Sequence, residues 1–518
     1  MNNFYKDKYD VIIVGGAISG LASALKLIEE GKDVLVLEQH NIPGGVATSF
    51  VRGGTEFEAS LHEFDAIGTK ECPLENRLIF EHYGLDIEWV RLPIGFRYKD
   101  KDIDCVVHCG KNGDYTVPAK DIADALNDEN GEIYNNLLRF FKLCRSVYLS
   151  MTTVSRGNVS KIKMVTKHHD FVKTIGYSFE EVVNFFSLPK KAIDILSVYW
   201  IYLGSPTRDM PFTIYAYVLT DILFYGGYIP RHTSYEIAIK MMDKVIEMGG
   251  QVELKQRVDK ILVKDGHVQG VRLQNGRVLH SDYVISGAYP NVVYTQMIEP
   301  LTEVPKQAIK LINSMEIGLT PFVLNMLLDK DYKELNLKDY ALFYALDECD
   351  NNQLFDNGTA LHNWGFYNAV CLNAAIPEVS KPGTTLYSIT YLPQANAFNN
   401  IDIKDYQKVK DELVNYFLES ESKRLGIDLK SHIIEIITET PYTISRYTTA
   451  PFGAIYGYRH TMSNHPIARF MMKDSERYIK GLSFNGATQV IGDGMGPAIQ
   501  NGIIAAQEIL SDIKREKK

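Results

Sequence analysis

The chain has 518 residues, 45% of them hydrophobic and 23% charged, with a formal net charge of -9, an ordinary globular composition at a length that predicts two or three structural units. An acidic balance without clustered Lys and Arg excludes a nucleic-acid surface, because phosphate binding requires such clusters to displace counterions. No window reaches the roughly 20 uninterrupted apolar residues that cross a bilayer, and the polar start MNNFYKDKYD reads as no secretory signal, so a cytoplasmic location is expected.

In chain order, YDVIIV from Tyr9 is a short β-branched run, GGAISG follows at once, LASALKLIEEG is amphipathic, and DVLVLE ends at Glu38. Strand, glycine turn, helix and strand make a dinucleotide-binding βαβ unit. Its loop places Gly15, Gly16, Ala17, Ser19 and Gly20 as candidate cofactor-binding residues. Gly15 makes the tight turn, Gly20 lets helix and strand pack closely, and the helix N-terminus offers N–H groups to a pyrophosphate. Glu38, at the expected spacing, can hold ribose hydroxyls and disfavours a 2′-phosphate. Ala17 stands where the fingerprint has its middle glycine, which weakens the motif.

Next come QHNIPGGVATSF and FEASLHEFD. Gly44, Gly45 and Val46 form a second backbone stretch able to lie against the cofactor. His62 reads either as a satisfied core histidine or as a catalytic group that moves protons near neutral pH. Glu56, Glu58 and Glu63 read as solvated or structural.

Residues 101–226 look mostly helical, with FVKTIGYSFEEVVNFFS and KKAIDILSVYWIYLG. The aromatic-rich stretch SVYWIYLGSPTRDMPFTIYAYVLTDILFYGGYIP is broken by Pro206, Arg208, Asp209 and Pro211 and reads as core or the wall of an apolar pocket. From 227 an amphipathic helix leads into a meander of short strands with turns at DG and NG. TPFVLNMLL and TTLYSITYLP read as strands, and DYQKVKDELVNYFLESESKRLG as a helix.

Arg446 and Tyr447, in ISRYT, are candidates for holding a polar end of a substrate, with a buried ion pair as the alternative. VIGDG reads as a strand ending in a turn at Gly492 and Asp493. A helix follows from Met495, its small residues Gly496, Ala498, Gly502, Ala505 and Ala506 permitting close packing. The basic residues Lys514, Arg515, Lys517 and Lys518 read as a solvated helix end. Cys72, Cys105, Cys109, Cys144, Cys349 and Cys371 are scattered and fit reduced thiols rather than a metal site.

The blocks VIIVGGAISGLASALKLIEEGKDVLVLE, PGG, FEASLH, the middle segment from GGYIPR to VISGA, PYTISRYTTAPFGAIYGY and GLSFNGATQVIGDGMGPAIQNGIIAA together resemble the family of phytoene desaturases, carotenoid isomerases and retinol saturase, within the amine-oxidase-like FAD enzymes. The resemblance implies an α/β fold. A discontinuous, Rossmann-type FAD-binding domain (1-100, 227-292 and 440-518) is accompanied by a mixed α+β substrate-binding domain (101-226 and 293-439). It places the chain near Val258 against the adenine. Asp493 would meet a ribityl hydroxyl while the helix from Met495 points its dipole at the flavin's pyrimidine end.

The chain departs from the family at Val46, where Arg is frequent, at Asp493 and Met495, in a stretch often rich in glycine, and at Arg231 and His232, where Pro-Gly-Gly is common. The implied function is desaturation, saturation or cis-trans isomerisation of a long apolar isoprenoid or polyene, with FAD as cofactor and no metal. Peripheral membrane contact follows from such a substrate. An amine oxidase of the same fold and a nucleotide-free binding protein are the alternatives.

Overall fold

A computed structural model describes residues 6–155, 163, 166–346, 350–359, 361, 365–465, 469 and 477–516; Cys349, Lys517 and Lys518 lie outside them. β1 (Val11–Val14), α1 (Ile18–Glu29) and β2 (Val34–Leu37) form the expected βαβ unit. Both strands are fully buried β-branched and leucine runs, the pattern of a parallel sheet covered on both faces. Five parallel strands lie in the order Leu482–Phe484, Val284–Ser286, β1, β2, Gln251–Glu253. One sheet is therefore assembled from three distant parts of the chain.

α1 packs against the helix Met495–Glu516. Their approach is close because residue 502 is glycine: a Cβ there would stand 2.2 Å from the Ser19 carbonyl oxygen. Ser23 completes the junction by donating its hydroxyl to the Gly502 carbonyl at 2.8 Å. The expected meander is present as Val258–Lys264, His267–Leu273 and Val278–His280, antiparallel in sequence, with Ile298–Glu299 added in parallel on the other edge.

A seven-stranded mixed sheet makes the second layer, in the order Ile433–Glu439, Phe322–Leu328, Thr385–Tyr391, Phe366–Cys371, Ala341–Ala345, Phe96–Lys99, Asp104–Val107. The long helices Glu132–Ser155 and Phe212–Thr220 pack together beside it. Their shared core is aromatic, with Phe140, Phe141, Phe179, Tyr199, Phe212 and Tyr215 inaccessible to solvent. Among the described residues no helix is long and apolar enough to cross a membrane.

One element differs from expectation. VIGDG is a turn, and the strand lies earlier, at Leu482–Phe484. The buried Asn501 side chain explains it: its amide donates to the Gly486 and Gly492 carbonyls, and its oxygen accepts from the Ile491 N–H. Gly492 and Gly494 turn the chain at φ 110° and 99°, which β-branched residues do not adopt.

Candidate active site

The turn between β1 and α1 opens into a cavity of about 880 Å³. Gly20 is obligatory there, because a Cβ would stand 2.1 Å from the Gly15 carbonyl oxygen. α1 starts at an Ala17 N-cap with no side-chain hydrogen bond, so its first N–H groups face the cavity uncapped, as an anion site requires. Ser19 lines the same wall and approaches Asn485 at 3.3 Å.

Glu38 is buried at the end of β2, its two carboxylate oxygens accepting from the N–H groups of Gly16 and His40 at 2.7 and 2.8 Å. Those bonds fix the carboxylate at the cavity wall with acceptor capacity to spare. Gly44 and Gly45, at φ 112° and 68°, run beside the loop, with the Gly44 N–H on the Gly16 carbonyl at 2.9 Å. Val46 and Val258 line the cavity as well.

At the other side Asp493 and His460 form a buried pair, Oδ1 to Nε2 2.6 Å. Among the described residues the second Asp493 oxygen, which is buried, has no partner, and Asp493 belongs to the cavity wall. An orphaned buried acceptor costs about 1–3 kcal/mol, so this atom is suited to a hydroxyl that arrives with a ligand. Uncapped N–H donors, a fixed acidic acceptor, close backbone at the glycines and an orphaned oxygen facing one elongated cavity fit the pyrophosphate, ribose and ribityl groups of FAD.

The cavity then continues between Met151, Phe171, Leu203, Ile214, Val218 and Ile222, an apolar arm drawn from the aromatic-rich stretch and the helices beside it. At the junction stand His62, Glu63, Asp65, Tyr202 and Tyr456. His62 is hydrogen-bonded by Tyr202 (Nδ1, 3.2 Å) and Thr390 (Nε2, 3.3 Å), while Tyr340 donates to its carbonyl. Burial without a carboxylate partner pushes its pKa down to about 4, so the ring is neutral at physiological pH.

The candidates named from sequence do not all meet. Gly15, Ala17, Ser19, Glu38, Gly44, Gly45, Val46, His62, Val258, Asp493 and Met495 line one cavity. Tyr447 is at its rim beside Gln39 and His40, its ring 5.3 Å from that of His40, at the Glu38 end and away from His62. Arg446 is exposed, outside the lining, over the Tyr447 ring at 6.0 Å. Among the described residues it forms no buried ion pair, because the helix Pro441–Thr448 turns that face to solvent.

Glu58 is structural, accepting from the Ser234 N–H and hydroxyl, and Glu56 bonds Ser49 and Thr233. Glu63 is half-buried and lines the cavity. Tyr202 and His460 carry no motif and enter the site through long-range packing, while Asp65 and Tyr456 lie in FEASLHEFD and PYTISRYTTAPFGAIYGY without being singled out there.

Residues 13–72 match the model of an NAD(P)-binding Rossmann-like domain, and residues 223–510 that of flavin-containing amine oxidoreductases. The chain is 23% identical to human all-trans-retinol 13,14-reductase, covering 99% of this chain and 88% of that one. It is also 23% identical to prolycopene isomerase 2 of an Oncidium hybrid cultivar, covering 99% and 85%. Among solved structures, putrescine oxidase bound to putrescine superposes with a TM-score of 0.61 at 13% identity, covering 97% of this chain and 99% of that one.

Proposed function

The chain belongs to the flavin-containing amine oxidoreductase family, and from that premise we propose that it is an FAD-dependent oxidoreductase acting on a carbon–carbon bond of a long apolar isoprenoid or polyene. The observation that carries this reading is the continuity of one cavity from the Gly15–Glu38 cradle to the apolar arm at Met151, Phe171 and Ile214.

When bound, FAD supplies two-electron chemistry at its isoalloxazine ring. The uncapped start of α1 holds the pyrophosphate, Glu38 the ribose, Asp493 a ribityl hydroxyl, and the backbone near Val258 the adenine. Gly492 and Met495, flanking Asp493, set the angle of that turn. The arm holds the chain of the substrate by burial, worth about 25 cal/mol per Å² of apolar surface, and keeps water from the reacting bond. His62 stays neutral and orients the Tyr202 hydroxyl. Tyr447 covers the adenosine end.

A polyene must be drawn from a bilayer, and the arm-lining residues Met151 and Phe171 neighbour in sequence the exposed apolar residues Leu149 and Val172. We infer peripheral membrane contact at this face; flotation with liposomes brings the protein upward, and full retention in the soluble fraction refutes the contact.

The purified protein is expected to show a flavin spectrum and to release FAD on heating. All-trans-retinol or prolycopene is expected to be transformed by the FAD-loaded enzyme in its oxidised or reduced state. Turnover of putrescine with peroxide release, and none of polyenes, would replace this reading with the amine oxidase one.

A further inference from the structure

The junction of cradle and arm contains a carboxyl that cofactor binding does not use. Glu63 lines the cavity with its carboxyl over Gly227, where a Cβ would stand 2.9 Å from Oε2. Among the described residues no donor hydrogen-bonds to this carboxyl and no cation pairs with it. The acidic groups facing it are Asp65 and Asp221. The hydroxyls of Tyr199, Tyr202, Tyr340 and Tyr456 and the Cys109 thiol complete its titratable surroundings.

Those two acids have structural duties. Asp221 accepts from the Ala66 N–H at 2.6 Å and the Tyr148 hydroxyl at 2.9 Å. Asp65 occupies the space beside Gly496, at the start of the helix Met495–Glu516, where a Cβ would stand 2.0 Å from Oδ1. Glu63 has none. A cavity-lining carboxyl that no protein donor holds, with its proton affinity raised by its surroundings, is characteristic of a functional site.

We propose that Glu63 is a catalytic residue, the acid that protonates a carbon of the substrate's double bond. The proposal rests on the polyene reading of this cavity and deepens it by assigning the direction of hydrogen addition. The π pair of the C=C bond takes the proton from the Glu63 oxygen and forms one C–H bond. The neighbouring carbon gains the second hydrogen, with two electrons, from reduced flavin, which is thereby oxidised. Glu63 is left as a carboxylate and recovers a proton from solvent once the product leaves. Burial, reinforced by Asp65 and Asp221, pushes the Glu63 pKa up to about 8, so the acid is loaded at neutral pH.

The test uses FAD-loaded wild-type and Glu63→Gln enzymes, with all-trans-retinol and prolycopene as probes and reduced flavin in D2O. The wild-type minus Glu63→Gln infrared difference is expected to show one protonated-carboxyl band that disappears near pH 8, Asp65 contributing its own band to both proteins, with FAD retained in each. Turnover is expected to fall about 100-fold or more in Glu63→Gln, within the range of general acid catalysis, with one solvent deuterium in the wild-type product. No such band in the difference, or equal turnover in Glu63→Gln, overturns the proposal alone. A wild type that transforms neither probe in either redox state overturns the polyene reading, and the proposal with it.

Discussion

The methyl group of Ala17 occupies the space that a side chain at residue 45 would need: a Cβ on Gly45 would stand 2.9 Å from the Ala17 Cβ. The middle position of the dinucleotide loop and the second glycine pair are thus packed against each other. Gly45→Ala is expected to lower bound FAD about tenfold or more. It adds that contact and places a side chain at φ 68°, a left-handed conformation costing about 1–2 kcal/mol. Ala17→Gly in the same chain removes the contact and leaves the φ penalty, so the double variant recovers part of the loss. Flavin-to-protein ratio at fixed FAD concentration measures both.

Gly502→Ala is expected to lower the thermal midpoint and empty the flavin site together. The added carbon meets the Ser19 carbonyl at 2.2 Å, backbone against backbone, and overpacking of that kind costs about 1–3 kcal/mol or more. Thermal unfolding with and without added FAD checks it. An unchanged midpoint would mean that the two helices are not pressed together as described.

Asp493→Ala is expected to weaken FAD binding about 10- to 100-fold, the worth of a charged hydrogen bond of about 1.5–3 kcal/mol. His460→Ala is expected to do less, because it positions one Asp493 oxygen and leaves the cavity-facing one in place. Titration of the apoproteins with FAD separates the two.

The stability difference between Glu63→Gln and wild type is expected to grow with pH. Folded Glu63 keeps its proton to about pH 8 against an ordinary carboxyl value of 4.5. Between these limits the unfolded chain is ionised where the folded one is not, so wild type loses stability as pH rises, by at most about 1.4 kcal/mol per pH unit from this group. Gln cannot ionise and escapes the loss. His62 acts in the opposite sense: its pKa near 4 means that stability falls as pH drops from about 6.5 towards 4, in both proteins alike. Denaturant unfolding at several pH values reads the difference, and a gap that stays flat from pH 5 to 8 would refute it.

The cradle was legible because its signal is local. Gly15, Gly20 and Glu38 lie within 24 consecutive residues, and each is required by a backbone contact or a fixed spacing. The apolar arm was legible only as a wall without a place, since aromatic richness from 198 to 230 does not say what the stretch faces. The surroundings of Glu63 are not legible locally, because they come from Cys109, residues 199–227, Tyr340 and Tyr456 as well as from Asp65. The VIGDG turn was misread for a similar reason: Val490 and Ile491 suggest a strand, while Asn501, ten residues on, pins the chain into a turn. Arg446 was chosen for its charge, which the structure gives to solvent.

The central sheet takes strands from residues 11–14, 284–286 and 482–484, and the first helix rests on one that ends near residue 516. A ribosome making this protein therefore releases the phosphate loop hundreds of residues before the strand that completes its sheet. Until residues 284–286 emerge the first β-strand has one edge open, and until residues 482–484 emerge that second strand has its own, each a template for unwanted pairing. Cofactor capture belongs after translation, and a message cut short anywhere before codon 482 yields a product for proteolysis rather than a partial enzyme.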